Sequence, residues 1–444
     1  MRAARMPCLI QTKTEPSKPV IYKALHNRPI VMKPAFFAIV GAQFFSSLAD
    51  SALFILCVSL VTTLAFPEWM TPMLKMGFVL SYILLAPFAG AFADMFPKGR
   101  VMLVTNTIKM FGCSLILAKA NPLLAYGIVG FGASAYSPAK YGILAEVLPA
   151  PRLVAANGWI EGSTVVSMIL GTILGGLISA NGHTIAWLLR LAPAHGGVAD
   201  TPVSAAVFVI VLTYFVAGVL NLCIVNAGTR YARPRRSMAS LLLDFYRCNS
   251  TLWRDREGRV SLGVTSLFWG AGMVLQILLL AWARSALGLG LDKAAALQGV
   301  FAFGVVIGAA IAGKTVPLVR SMSVMPVGIV MGVGLCAMVF VHSVQVALPL
   351  LLGIGVLAGL FVVPMNAILQ HRGHSLMSAG QSIAVQNFNE NLSILTMLAV
   401  YSLMLRAHLN LDVIILLFGL FLADRKSTRL NSSHVKRSRM PSSA

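Results

Sequence analysis

Acidic side chains are scarce in this sequence. Asp and Glu number 14 against 35 Lys and Arg in 444 residues, and all charged residues together make up 11% of the chain. A soluble domain draws about a quarter of its residues from the charged types, so this chain lacks the means to cover a water-facing surface of its size. Paired cysteines are lacking too. Cys8, Cys57, Cys113, Cys223, Cys248 and Cys336 are scattered, without C-x-x-C spacing or a nearby His cluster. That argues against a disulfide framework and against a metal site. Residues 1–33 hold no apolar run long enough for a signal-peptide core.

What the chain has instead is apolar length. It is 57% hydrophobic with a mean hydropathy of +0.81, and runs of 18 or more apolar residues recur throughout, as a multi-span helical membrane protein requires. Twelve spans are expected, at about 34–62, 73–93, 101–119, 122–145, 154–180, 203–226, 260–283, 294–316, 324–342, 345–369, 378–406 and 411–423. The last is only about thirteen residues long, too short to cross a bilayer. The fold class is therefore an all-α integral membrane protein.

The net charge of +21 is concentrated at the ends. Residues 1–33 carry +6, and residues 425–444 carry six Lys and Arg with no acid. A central loop, 227–259, holds eight Arg against three acids. This distribution weakens a nucleic-acid reading and fits the positive-inside bias, with both termini cytoplasmic. Five parts follow: a basic extension (1–33), a six-helix bundle (34–226), the central loop (227–259), a second bundle (260–423) and a basic tail (424–444). The extension is either real or an early start, with the true one nearer Met32. The tail resembles translated sequencing-adapter sequence; a disordered basic tail is the alternative.

The stretch from Gly130 to Ser163 organises the chain. It closes one apolar helix, turns through Pro149 and Pro151, and opens the next. Tyr136, Lys140 and Tyr141 stand inside the apolar segment, and Glu161 follows two turns into the next helix. A charge near a bilayer centre costs about 2.5–3.5 kcal/mol on the insertion scale, so such residues usually face a bundle interior or a water-filled path. This stretch is read as one wall of a polar cavity. Asp50, near the middle of span one, is the second charge of that cavity, or an acid satisfied by an intramembrane cation. Lys140 either serves the cavity or snorkels to the interface. Glu161 and Glu390 are functional or are polar glue between helices. Lys109 is a gating or packing charge, and Gln276 and Asn366 make packing hydrogen bonds.

The two halves echo each other weakly. Pro138 precedes Lys140 in span four, as Pro364 precedes Asn366 in span ten. Between spans two and three, Gly90, Asp94, Lys98 and Arg100 resemble the loop signature of the major facilitator superfamily, where the Gly permits close packing and the Asp locks an inner gate. Gly308–Thr315 spells a P-loop, but in an apolar helix, without the preceding strand a phosphate cradle needs; it is read as the degenerate counterpart of that loop. Gly130-Phe131-Gly132 also sits inside a helix, and Gly171 with Gly175 and Gly304 with Gly308 are helix-packing contacts.

The segments QFFSSLADSALF, YSPAKYG, VAANGWIEGST, TSLFWGAGMVLQ and AVQNFNEN, over about residues 35–422, resemble the LplT lysophospholipid transporters, a bacterial inner-membrane branch of that superfamily. The resemblance implies two pseudo-symmetric six-helix bundles, here with a shortened twelfth span. It implies movement of lysophospholipids, chiefly lysophosphatidylethanolamine, from the outer to the inner leaflet, where a partner acyltransferase–acyl-carrier-protein synthetase restores the missing chain. No cofactor is implied. By position the substrate-binding residues are Asp50, Tyr136, Lys140, Asn387 and Glu390, with Gly90, Asp94, Lys98, Arg100 and Glu161 in gating or structural roles. Gln276 stands where a basic residue is expected. Asp50 and Lys140 can meet the two head-group charges, or pair with each other when no substrate is bound. The rival readings are a proton- or cation-coupled drug antiporter using Asp50 as its ion site, and a non-transporting receptor. An enzyme is least favoured, for want of a nucleophile–base pair.

Overall fold

Apolar helices in a bilayer satisfy their own backbone groups and are then free to pack on each other through side chains. The computed structural model describes residues 32–66, 70–180, 202–224 and 237–423, and these are helices joined by short turns and 3-10 segments. Six helices form the first half: α1 (Met32–Thr63), α2 (Met70–Met95), α3 (Lys98–Ser114), α4 (Pro122–Val147), α5 (Leu153–Ala180) and α6 (Pro202–Leu222). A connecting helix, α7 (Met238–Arg254), follows. The second half holds α8 (Arg256–Ser285), α9 (Leu291–Thr315), α10 (Met325–Ala337), α11 (Val344–Leu376), α12 (Ala379–Arg406) and α13 (Leu411–Ala423). Residues 1–31 of the expected extension and the whole expected tail lie outside the described residues, and Met32 and Lys33 open α1.

Local chemistry sets several helix starts. The Asn121 side chain accepts from the Leu123 N–H before Pro122, and Asp255 accepts from the Gly258 N–H at the start of α8. Nine helical stretches among the described residues are long and apolar enough to cross a membrane. Helices α3 and α4 are not among them; α3 carries Asn106 and Lys109, and α4 carries Ser137 and Lys140. Leu84, Leu177, Phe215 and Leu222 are exposed on the outside of the bundle, as a lipid-facing surface requires.

The packing repeats from half to half. Pairs α1–α5, α2–α4 and α3–α6 recur as α8–α12, α9–α11 and α10–α13, and across the halves α2–α12 recurs as α9–α5. Each half has its own apolar core. One is built around Leu53, Tyr126, Ile210 and Tyr214, the other around Leu278, Trp282, Leu351 and Ile414. The expected glycine contacts are made: Gly171 and Gly175 of α5 meet α1, and Gly304 and Gly308 of α9 meet α11. The P-loop-like run Gly308–Thr315 is helical to its last residue.

The central segment differs from the expected loop. Residues 238–254 form α7, and α8 starts at Arg256. Asp244, Cys248 and Leu252, at helical spacing, face the bundle, while Leu242, Leu243 and Tyr246 are exposed. The Trp253 Nε1–H donates to Asn389 Oδ1 at 3.1 Å, and Asn389 Nδ2–H to Asn249 Oδ1 at 2.9 Å, stapling α7 to α12. Arg372 near the end of α11 holds Asp255 with two hydrogen bonds of 2.9 and 2.8 Å.

Candidate functional site

Contacts between the halves gather at one end, the end of the α2–α3 and α4–α5 turns. There Gly90 of α2 abuts α12: a Cβ on it would lie 2.9 Å from Ala384 Cβ and 3.0 Å from the Gly380 carbonyl oxygen. Asp94 accepts from the Gly380 N–H at 2.9 Å and the Gln381 N–H at 3.2 Å. The first turn of a helix leaves N–H groups unpaired and carries partial positive charge, so Asp94 caps α12 from the opposite half. Lys98 holds Asp94 in place at 3.0 Å and also pairs with Glu146 at 3.1 Å. Gly142 makes room for the Lys98 stem. Arg100 is exposed and makes no ion pair among the described residues. On the other side of the bundle, Asn157 of α5 and Gln370 of α11 exchange two hydrogen bonds of 2.9 and 2.8 Å.

Asp50 does not pair with Lys140. Its Oδ2 lies 2.8 Å from Lys109 Nζ on α3, and its Oδ1 accepts from the Tyr214 hydroxyl at 2.6 Å. Lys109 also donates to Ser46 Oγ at 3.0 Å, and Ser46 in turn donates to Asn106 Oδ1 at 2.9 Å. Asn106 and Lys109, three residues apart, share one face of α3. Gly132 on α4 clears the space for the Lys109 stem, since a Cβ there would lie 2.9 Å from Lys109 Cγ. The Lys109 ammonium also sits 5.0 Å from the Tyr136 ring centroid and 5.8 Å from that of Tyr214. Asp50, Lys109, Tyr136 and Tyr214 thus form a closed charge cluster within the first half.

Lys140 belongs to a different cluster. It is 6% exposed, held inside the protein rather than snorkelled to its rim. Its ammonium stacks 4.0 Å from the Tyr141 ring centroid, and no carboxylate among the described residues lies within ion-pair distance. Next to it a hydrogen-bonded chain crosses between the halves. Tyr141 Oη donates to Glu161 Oε1 at 2.8 Å, and Asn366 Nδ2–H donates to the same oxygen at 3.2 Å. Gln386 Nε2–H donates to Asn366 Oδ1 at 3.1 Å and to Glu390 Oε1 at 2.8 Å. Ser137 donates to Asn387 Oδ1 at 3.3 Å. Helices α4 and α5 thereby meet α11 and α12 over buried polar groups.

Several of those groups are unfilled. Gln386 Oε1 and Asn387 Nδ2 of this row, and Tyr136 Oη of the neighbouring cluster, are buried with no partner among the described residues. A buried polar atom left unpaired costs about 1–3 kcal/mol, so this row can receive a polar molecule. Among the expected site residues, the structure brings Lys140, Glu161, Asn387 and Glu390 to the meeting of the halves. It puts Asp50 with Tyr136 in the neighbouring cluster. Tyr141, Tyr214, Asn366 and Gln386 complete the two clusters and were not singled out as site residues from sequence. Gln276 is exposed on α8, and its carbonyl accepts from Gln298 at 2.7 Å. Among the described residues no three His, Cys, Asp or Glu side chains gather as a metal site needs.

Comparison with known proteins agrees with this architecture. The family profile of the Major Facilitator Superfamily matches residues 35–422. A protein of Yersinia enterocolitica, "Lysophospholipid transporter LplT", is 40% identical over 391 residues, 86% of this chain and 90% of that protein. One of the same name from Klebsiella pneumoniae is 41% identical over 384 residues, 86% of this chain and 91% of its own. Another, from Enterobacter sp., is 40% identical over 405 residues, covering 90% and 96%. Among solved structures, the transporter FucP in the outward conformation superposes with a TM-score of 0.65 at 14% identity, over 87% of this chain and 96% of that one. A bacterial homologue of the iron transporter ferroportin in an outward-facing state gives 0.64 at 14% identity, over 88% and 97%. At that identity these two speak for the fold alone. The chain belongs to the Major Facilitator Superfamily and, within it, to the LplT family.

Proposed function

We propose that this protein moves lysophospholipids, lysophosphatidylethanolamine foremost, from the outer to the inner leaflet of a bacterial inner membrane. There an acyltransferase–acyl-carrier-protein synthetase would restore the second chain. The observation that carries this reading is Lys140: a buried ammonium without a carboxylate partner among the described residues, beside a row of unfilled polar atoms where the two halves meet. A lysophospholipid head group brings a phosphate to that ammonium and hydrogen-bonding groups to Gln386 and Asn387. Its single chain can stay along the exposed apolar helix faces.

With both termini cytoplasmic, the α2–α3 end is the inner one, and the latch of Asp94 on α12 closes the inner side. The described state is then open outward. Head-group binding at Lys140 bridges both halves and favours their rocking together around the site, while the Asp94 contacts release. The antiporter reading needs Asp50 as a free ion site. Asp50 is instead engaged by Lys109 and Tyr214, which favours the lipid.

The test is substrate choice in proteoliposomes holding the purified chain. Labelled lysophosphatidylethanolamine should be taken up and protected from external phospholipase, and a lipophilic cationic dye should not be moved. Dye transport without lysolipid uptake would overturn the reading in favour of the antiporter.

A further inference from the structure

Lys75 is a cation that neither cluster uses. It lies on α2, five residues from the first, Met70. Phe78, Val79, Tyr82 and Ala86 follow it at spacings of 3, 4, 7 and 11 residues and so share its face. Gly90, close to the same face, abuts α12. The opposite stripe of α2, Met73, Leu80 and Leu84, is 38%, 44% and 62% exposed and apolar, as contact with lipid demands. Lys75 therefore points away from the bilayer and toward α1.

Its surroundings are consistent with an open cavity. The side chain is exposed. It has no ion pair among the described residues. Its ammonium sits 4.4 Å from the ring centroid of Phe54 on α1. Phe54 meets Tyr126 at 5.6 Å, Tyr126 stacks on Phe78 at 5.3 Å, and Phe78 meets Tyr82 at 5.6 Å. An aromatic wall thus backs the ammonium on one side, through the Phe54 ring face, and gives it no counter-charge among the described residues. By helical rise, Lys75 on α2 and Lys140 on the antiparallel α4 differ in depth by roughly 20 Å. Lys75 stands near the mouth and Lys140 near the closed end.

We infer that Lys75, backed by Phe54, is a capture site for the phosphate of a single-chain phospholipid at the open mouth of the cavity, occupied before the head group reaches Lys140. The inference rests on the proposed function and adds a first station to it. An unpaired ammonium in a membrane-spanning helix needs a counter-charge or water, and an arriving phosphodiester supplies the charge. The ring faces near it can receive the head-group ammonium once the phosphate has taken Lys75.

The experiment measures the initial rate of labelled lysophosphatidylethanolamine uptake against its concentration, in proteoliposomes of the full chain. Wild type, Lys75→Gln and Lys75→Arg are compared. Competition by glycerophosphoethanolamine, which has the head group without the chain, and by monoacylglycerol, which has the chain without the phosphate, separates the two parts of the ligand. Losing one charge-assisted contact should raise the half-saturating concentration of Lys75→Gln about tenfold, with the maximal rate and melting temperature near wild type. Lys75→Arg should stay close to wild type. Inhibition by glycerophosphoethanolamine should weaken in Lys75→Gln, and inhibition by monoacylglycerol should not change. An unchanged half-saturating concentration in Lys75→Gln, with wild-type uptake intact, would overturn the capture site alone. No lysolipid uptake by wild type would overturn the proposed function and the capture site together.

Discussion

The Asp50–Lys109 pair sits among Tyr136, Tyr214 and Ser46, and each partner is the main counter-charge of the other. The Lys109 side chain is 2% and that of Asp50 20% exposed, and removing one member of a largely buried pair leaves the other unpaired, at a cost of up to about 3–5 kcal/mol. Asp50→Asn and Lys109→Gln should therefore each lower the melting temperature in detergent, and the double variant should lose clearly less than the sum of the two. Additive losses would mean that the pair is not coupled as its geometry requires. Lys140 should behave differently, because no carboxylate among the described residues depends on it for an ion pair. Lys140→Gln should keep its melting temperature and lose transport. The charges themselves were legible in the sequence, since Asp50, Lys140, Glu161 and Glu390 interrupt apolar runs. Their partners were not. Asp50 and Lys109 are 59 residues apart, and nothing in either helix alone says which face of α1 meets which face of α3. Lys140 was the plausible mate by charge, and the Lys109 stem, cleared by Gly132, won by reach.

Between elements, the contact that matters most is α2 on α12. A side chain at position 90 would press on Ala384 and the Gly380 carbonyl, so Gly90→Leu should wedge the halves apart. Asp94→Asn should weaken the cap on the first turn of α12. In either background, a cysteine placed at Ser137, which faces Asn387 across the halves, should react faster with a maleimide added from the α2–α3 side. Unchanged reactivity would show that another contact keeps this end shut. A second prediction concerns the α7–α8 turn. Partial burial pushes the Asp255 carboxyl up, but the Arg372 hydrogen bonds and charge, with the Gly258 N–H, outweigh it and hold the group below the usual carboxylate range. A carboxyl depressed by folding stabilises above its unfolded pKa, about 3.9, and that contribution is lost as pH falls through the lower folded value. The melting-temperature gap between wild type and Asp255→Asn should stay constant from neutral pH down to about 5 and shrink below about 4. A gap that persists to pH 3 would mean that the charge of Asp255 is not what the clamp uses. The loop signature from Gly90 to Lys98 could be read from spacing alone. Helix α7 could not, because the Arg residues around it drew the segment toward a loop and hid Asp244, Cys248 and Leu252 at helical spacing.

For the whole molecule, each of the twelve apolar runs coincides with a helix among the described residues, because length and hydropathy are local properties of the chain. The repeated packing of α2 on α12 and α9 on α5 was visible only as faint echoes such as Pro138 and Pro364. Which end is closed was not visible at all, since that depends on contacts between residues more than two hundred positions apart, such as Asn157 with Gln370. Orientation is open to direct test. A cysteine introduced at Ser237, at the start of α7, should resist an impermeant reagent applied to intact cells and react once the cells are opened; ready labelling of intact cells would invert the topology. The account as a whole depends on two halves moving around an unpaired ammonium that receives the lipid phosphate. Its most direct test is uptake of labelled lysophosphatidylethanolamine by proteoliposomes of wild type and Lys140→Gln, matched for reconstituted protein and melting temperature. The account predicts steady accumulation by wild type and a loss of about tenfold or more in the variant, as expected when a buried charge-assisted contact of at least about 1.5 kcal/mol is removed. Equal uptake by the two proteins would contradict it.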